Sequence, residues 1–266
     1  MDAQFDAASL GLLEDALRKT MLSTSGAELD AALAELGWAE MLSEMPDLAI
    51  PLVFRLLGET GSHASVLNDV VRRTAGREVD DLPALPYAGG GYVVWDNSDL
   101  SSPALDGLPL RRVIDGEPLH LTAGRRAVGW WLVGSARAML NLARQHALDR
   151  VQFGKPIASF QAVRHRLADT LVAIEGAEAT LELPALDNPD LIALLAKAAA
   201  GKAALTAAKN CQQVLGGIGF TAEYDLHHHV KRVLVLDQLL GSSKELTKKA
   251  GAGLRARGST PRLAAL

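Results

Sequence analysis

Apolar residues recur at three- and four-residue spacing along most of this chain, the mark of helices that bury one face. In the first quarter the pattern predicts helices over 7–20, 25–35, 38–44, 49–58 and 62–74. Ser25 ahead of Ala27 and Asp47 after Pro46 read as helix starts, and Gly37, Gly58 and Gly76 as stops. From 77 to 123 the period is lost to Pro83, Pro86, Gly89, Gly90, Gly91, Pro103, Gly107, Pro109 and Gly116. The β-branched and aromatic runs at 92–95 and 110–114 predict two to four short strands, too few residues for an independent barrel.

After Gly124 the helical period returns. Trp130, Val133, Gly134, Arg137, Ala138, Asn141 and Leu142 share one side of a helix that runs to Leu148, ahead of a break at Phe153, Gly154, Lys155 and Pro156. Further helices are expected over 159–183, 189–215 and 224–249, and four long helices with short connections make an antiparallel bundle. The expected fold is therefore mainly α: a helical domain at 1–76, a reduced β or linker segment at 77–123, a bundle at 124–254 and a flexible tail at 255–266. No internal repeat or low-complexity tract interrupts this plan.

Composition narrows the function. A chain of 266 residues with 48% hydrophobic and 22% charged residues can bury a substantial core. The formal charge of −4 and a pI near 6.0 supply no basic field for a nucleic acid, and the basic residues from Lys248 to Arg262 read as a solvated end. Cys211 is the one cysteine, which excludes an intrachain disulfide and suits a reducing cytoplasm. The first six residues lack the pattern of a signal peptide. No uninterrupted apolar run reaches the ~20 residues of a membrane helix, so no membrane partner is expected.

Two segments stand out as chemistry. Arg150-Val151-Gln152-Phe153-Gly154-Lys155-Pro156 is followed by Phe160-Gln161, and about fifty residues on comes Gln213-Val214-Leu215-Gly216-Gly217-Ile218-Gly219-Phe220. A cation such as Arg150 at a helix C-terminus is favourable with or without a ligand, and Gly216 after a helix is an ordinary stop. A planar guanidinium also suits a pyrophosphate, and side-chain-free backbone suits a passing dinucleotide. His227, His228 and His229 are consecutive, point 100° apart on a helix and cannot face one metal together. Cys211 reads as an inert buried thiol.

In this order, and separated by two helical patterns, the two segments resemble the flavin-binding half of the acyl-CoA dehydrogenase family, and 221–227 resembles the dehydrogenases of actinobacterial steroid degradation. The resemblance covers 125–241, loosely 36–70, and fails between. It implies FAD as cofactor, with Arg150 on the pyrophosphate, Phe153 against the dinucleotide, Gln161 and Gln213 as bonding side chains, and Gly216 and Gly217 beside the adenosine end of a flavin held mainly by a neighbouring subunit. That family removes an α-proton from an acyl-CoA with a glutamate at one of two positions. These correspond here to Leu240 and Gly124, neither of which can take a proton.

The resemblance thus implies a smaller subunit without a base, assembled with a larger, glutamate-bearing acyl-CoA dehydrogenase subunit, as a heterotetramer, with no catalytic residue and no metal of its own. Two other readings stay open: a homomeric dehydrogenase with a displaced base, Asp237 or Glu223, and a non-catalytic scaffold that keeps only the bundle.

Overall fold

A computed structural model describes residues 7–75, 82–97, 105, 107–184 and 188–260. Five helices open the chain: α1 (Ala7–Ser23), α2 (Ala27–Glu35), α3 (Trp38–Glu44), α4 (Pro46–Thr60) and α5 (Val66–Ala75). An antiparallel meander follows, β1 (Leu85–Tyr87), β2 (Gly91–Trp95) and β3 (Leu110–Val113), with Tyr92 opposite Val113 and Trp95 opposite Leu110. Then come α6 (Thr122–Asp149), a hairpin of β4 (Val151–Gln152) and β5 (Lys155–Pro156), α7 (Gln161–Glu182), α8 (Pro189–Leu215), α9 (Leu226–Gln238) and α10 (Ser243–Arg257). Gly76, expected to stop α5, lies outside the described residues.

The main core cluster runs from α1 to α9, and a smaller one joins α8 to α10. Two glycines decide how the N-terminal helices meet the bundle. Gly58, expected as a stop, sits buried inside α4. A Cβ there would collide with the Trp131 carbonyl of α6, and one on Gly134 would collide with the Arg55 carbonyl of α4. The two helices therefore cross with backbone against backbone, and the stop falls to Gly61 at φ 71°. Phe54, Trp131 and Trp95 then join α4, α6 and the sheet, with ring centroids 5.8 and 5.6 Å apart. Asn68 of α5 donates to the Trp95 carbonyl at 3.1 Å.

α8 is the central helix. Asn188 caps it by accepting from the Leu191 N–H at 3.1 Å, Pro189 fills its first position, and Gly216 at φ 65° ends it. By length and composition alone 189–220 is apolar enough to cross a membrane, although Lys197, Lys202 and Lys209 interrupt its apolar run. Its hydropathy comes from alanines: Ala196, Ala200, Ala203, Ala204 and Ala207 are buried in the core the helix shares with α6.

The expected fourth bundle helix, 224–249, is two helices. Leu240 and Gly241 take φ values of 60° and 98°, and the chain turns between α9 and α10. Ser242 and Glu245 form a capping box that starts α10. Under the turn lies Lys197 of α8, fully buried, its ammonium donating to the Asp237 carbonyl at 3.0 Å and the Gly241 carbonyl at 2.7 Å. Asp237 accepts from the Ser243 N–H at 3.1 Å, and a side chain at Gly201 would strike its carboxylate. α10 packs back on α8 and stays helical to Arg257, beyond the point where the sequence pattern fades.

Candidate functional site

The structure brings every sequence-predicted site residue to one end of the bundle. Asn210, near the end of α8, accepts from Arg166 at 3.3 Å and donates to Thr170 at 2.9 Å, which sets the C-terminus of α8 beside the start of α7. Tyr224 donates to the Leu142 carbonyl at 3.4 Å, and its ring lies edge-on to His146, 6.2 Å away. The end of α6, the β4–β5 hairpin, the first turn of α7 and the glycine segment thus share one surface.

On it the side chains face outward. Arg150, Gln161 and Gln213 are exposed, and the Arg150 guanidinium makes no ion pair or hydrogen bond among the described residues. Phe153 is 89% exposed and holds φ 53°, paired with Gly154 at φ 76° in the two-residue turn of the hairpin. Such turns favour Asn-Gly or Gly-Gly, because a bulky residue with positive φ is strained. A strained aromatic that stays 89% exposed gains little packing from its own chain. It meets the Phe160 ring edge-on, centroids 6.1 Å apart at 90°, and the Lys155 ammonium sits 4.7 Å from the centre of the Phe160 ring.

The glycines divide in the same way. Gly216 needs its positive φ to end α8, and Gly219 is held so close to the Gln212 carbonyl that a Cβ would stand 2.8 Å from it. Gly217 meets no such demand: nothing lies within 4 Å of a Cβ added there, or of one added to Gly216. The surface beside them is open enough for another molecule to approach the backbone. Sequence reasoning missed Ile218 and Phe220, which are 37% and 69% exposed and extend the apolar side of this surface. The signal was two large apolar residues just past a helix stop.

The two positions matched to the family's base lie elsewhere and touch each other. A Cβ on Gly124 would come within 3.1 Å of Leu240 Cδ1 and of Val71 Cγ2, with Leu67 Cδ1 at 3.9 Å. Leu240 is 1% exposed. Two positions 116 residues apart in sequence thus occupy one spot, as alternatives for a single proton acceptor must, and hydrocarbon fills it.

The β1 segment closes the spot from outside. Leu240 N–H donates to the Pro86 carbonyl at 2.7 Å, Ala88 N–H to the Gln238 carbonyl at 2.9 Å, and Gly89 N–H to Glu245 at 3.0 Å. Arg125 donates to the Leu240 carbonyl at 3.4 Å, its guanidinium perturbed downward by burial and supported by Asp190.

The carboxylates that could serve as a displaced base are poorly placed. Asp237 is 3% exposed and committed to Ser243 and Gln238, with Lys197 beneath. Glu223 is exposed at the far end of α9 from Leu240. His227 and His228 stack at 3.7 Å, while burial pushes His229 down to about 4; among the described residues no three metal-ligating groups converge. Burial pushes the Cys211 thiol up to about 12, which keeps it inert.

FAD fits this chain at one end only. The outward surface offers a free guanidinium, an unpacked aromatic ring, two amide side chains and open glycine backbone, which suits a dinucleotide. The spot where the reacting end would need a base is packed with leucine and valine.

Residues 119–252 match the family described as acyl-CoA dehydrogenase, C-terminal domain. The acyl-CoA dehydrogenase IpdE2 of Mycobacterium tuberculosis is 40% identical over 117 residues, 44% of this chain but 37% of the relative, so the match spans well under half the relative's length. Among solved structures, the Tcur3481-Tcur3483 steroid ACAD G363A variant superimposes with a TM-score of 0.73 at 18% identity over 94% of this chain and 98% of that one. The ChsE4-ChsE5 complex from Mycobacterium tuberculosis gives 0.68 at 17% identity over 98% and 100%. With the family's C-terminal domain matched along half the chain and its fold shared throughout, the chain belongs to the acyl-CoA dehydrogenase family, whose cofactor is FAD.

Proposed function

We propose that this chain is the base-free subunit of a flavin-dependent acyl-CoA dehydrogenase, and that it completes the FAD site of a larger, glutamate-bearing partner. The observation that carries the reading is the contact of Leu240 with Gly124, which removes both positions for a base and fills the space between them. When bound, FAD accepts the β-hydride of the acyl-CoA. The α-proton goes to a carboxylate that the partner supplies.

This chain's residues bind and orient. Arg150 places a delocalised charge at the pyrophosphate, able to make two parallel charge-assisted hydrogen bonds. Phe153 would offer its ring to the dinucleotide, Gln161 and Gln213 would bond it, and Gly216 and Gly217 would let the backbone approach the adenosine end. In this reading the strain at Phe153 is pre-organisation: the ring is already aimed outward when the partner arrives.

Two neighbours support a heteromeric assembly, since one is the complex of ChsE4 with ChsE5 and the other the Tcur3481-Tcur3483 steroid ACAD, which also supports a steroid-derived acyl-CoA as the substrate. The test is acyl-CoA turnover by the assembled complex with each carboxylate neutralised in turn. Asp237→Asn and Glu223→Gln should leave turnover within a few-fold, while loss of the partner's glutamate should cost the ~10²–10⁴ typical of a general base. Collapse on either substitution here, with FAD still bound, would put the base in this chain.

A further inference from the structure

Three basic side chains gather where the α1–α2 loop, the α4–α5 loop and α9 meet. Arg232 of α9 donates to the Gly61 carbonyl at 3.0 Å and the Ser62 carbonyl at 2.7 Å, its Nε is buried without a partner, and among the described residues no carboxylate pairs with it. Burial pushes its guanidinium down to about 10. His229, one turn earlier, is 8% exposed and lies against Gly61, where a Cβ would stand 3.4 Å from its Cε1. Neither of its ring nitrogens has a hydrogen bond among the described residues. His63 of the α4–α5 loop is half-buried and meets Ser25 Oγ through Nδ1 at 2.8 Å.

Both loops are held through this seam. Ser62 Oγ donates to the Thr24 carbonyl at 2.9 Å, and Gly26 N–H donates to the His63 carbonyl at 2.7 Å. Because the His63 N–H donates to Ser25 Oγ at 3.3 Å, the hydroxyl proton is directed to Nδ1 and the neutral ring keeps its own proton on Nε2. A proton added to His63 must then go to Nδ1, the atom that holds Ser25. A cavity of about 840 Å³, lined in part by Ser25, Gly61, Ser62 and His63, opens beside the seam and gives water a path to it. The other charged groups here are Glu28 of α2 and Asp96 and Arg111 of the sheet on the cavity wall, Asp30 of α2, which accepts from the Ser65 N–H and from Asn97, and His228 and Asp225 at the start of α9.

A buried histidine without hydrogen bonds packs no better than a phenylalanine would, and a buried arginine without an acid is costly to keep. What the three side chains share is a response to acid. We infer that this seam is an acid-triggered latch: protonation of His63 and His229 beside Arg232 puts three cations on one contact and releases the α1–α2 and α4–α5 loops from α9, while the bundle stays folded. Burial, and then Arg232, push His63 from 6.5 down to about 4, and burial, Arg232 and His228 push His229 to about 4 against the pull of Asp225. The closed seam has therefore shed protons that the open seam holds. Closure is fully supported above about pH 6.5 and is lost as the pH falls toward 4, each histidine weakening it by roughly 30-fold at about pH 5.

The latch is tested on the full chain without FAD, so it stands or falls apart from the flavin reading. Ser62→Cys puts a thiol on the seam at a position that is 5% exposed, and Cys211, buried in α8, serves as the reference for the bundle. Labelling with 4,4′-dithiodipyridine, which reacts with thiols in acid, should find both protected at neutral pH. On acidification to about pH 5 the thiol introduced at 62 should gain reactivity by roughly 10²–10³-fold while Cys211 stays protected. Adding His63→Asn, which keeps an acceptor for Ser25, and His229→Phe, which keeps a ring against Gly61, should abolish the gain. Protection that acid does not change, the same profile without the two histidines, or Cys211 opening in step with the seam would each overturn the inference. Ring-proton NMR on the unaltered chain needs no substitution: His63 and His229 should titrate well below 6.5, and ordinary titration of both near 6.5 would overturn it as well.

Discussion

The end of the bundle and the turn at Leu240 have opposite characters in one chain. At the end, Arg150 is unpaired, Phe153 is strained and 89% exposed, and Gly217 has no internal reason to be glycine. At the turn, Leu240 is 1% exposed, strapped by β1 and braced from below by Lys197. One region leaves its groups unspent and the other spends every group on itself. Unspent polar and aromatic groups held in strained geometry point to an absent partner, whereas full internal satisfaction points to structure alone.

The sharpest way to break this contrast is to empty the closed region. Leu240→Ala should cost about 2–5 kcal/mol of stability, as buried Leu truncations do, and leave FAD retention by the complex unchanged. Chemical denaturation beside flavin absorbance measures both. Loss of flavin without loss of stability would make the turn part of the site.

The open region should behave in the reverse manner. Arg150→Ala should weaken FAD retention by roughly 1.5–3 kcal/mol, the scale of a hydrogen bond to a charged group. The helix itself should lose no more than ~0.3–1 kcal/mol. Unchanged flavin with a large drop in melting temperature would show a structural arginine.

The support under the turn has a pH signature. Burial pushes the Lys197 ammonium from 10.5 down to about 7, against the pull of Asp237. Between those values the unfolded chain holds a proton that the folded chain has shed, so stability should rise as pH climbs from about 7 toward 10.5, by up to ~1.4 kcal/mol per pH unit. Lys197→Met should flatten that slope. A slope of the same size in the variant would assign it to other groups.

The smallest effect belongs to the hairpin tip. Phe153→Gly should relieve the left-handed strain and raise stability by about 1 kcal/mol or less, while FAD is held less tightly. Lower stability without any change in flavin would mean that the ring packs within its own chain.

Much of this was legible in the sequence. The 3.6 period located α3 and α8 at their observed ends, and the Arg150 and Gly216 segments, singled out from the sequence as candidate site, lie together at one end of the bundle. The break between α9 and α10 was not found, although Ser242-x-x-Glu245 is a capping box in plain view; the continuous apolar period on either side masked it. Gly58 misled because a glycine that ends a helix and one that lets two helices touch look alike until the neighbour is known. The meeting of Gly124 with Leu240 depends on tertiary structure alone, since 116 residues separate them, and only the family resemblance hinted that the two positions are equivalent.

The most direct measurement of the central claim is the flavin absorbance of the purified chain, expressed alone and then together with a glutamate-bearing dehydrogenase partner. On the proposed reading, in which the chain supplies only the dinucleotide side of the pocket, it should be colourless alone and yield a yellow, active complex with the partner. A yellow homomer that oxidises an acyl-CoA without any partner would contradict the account.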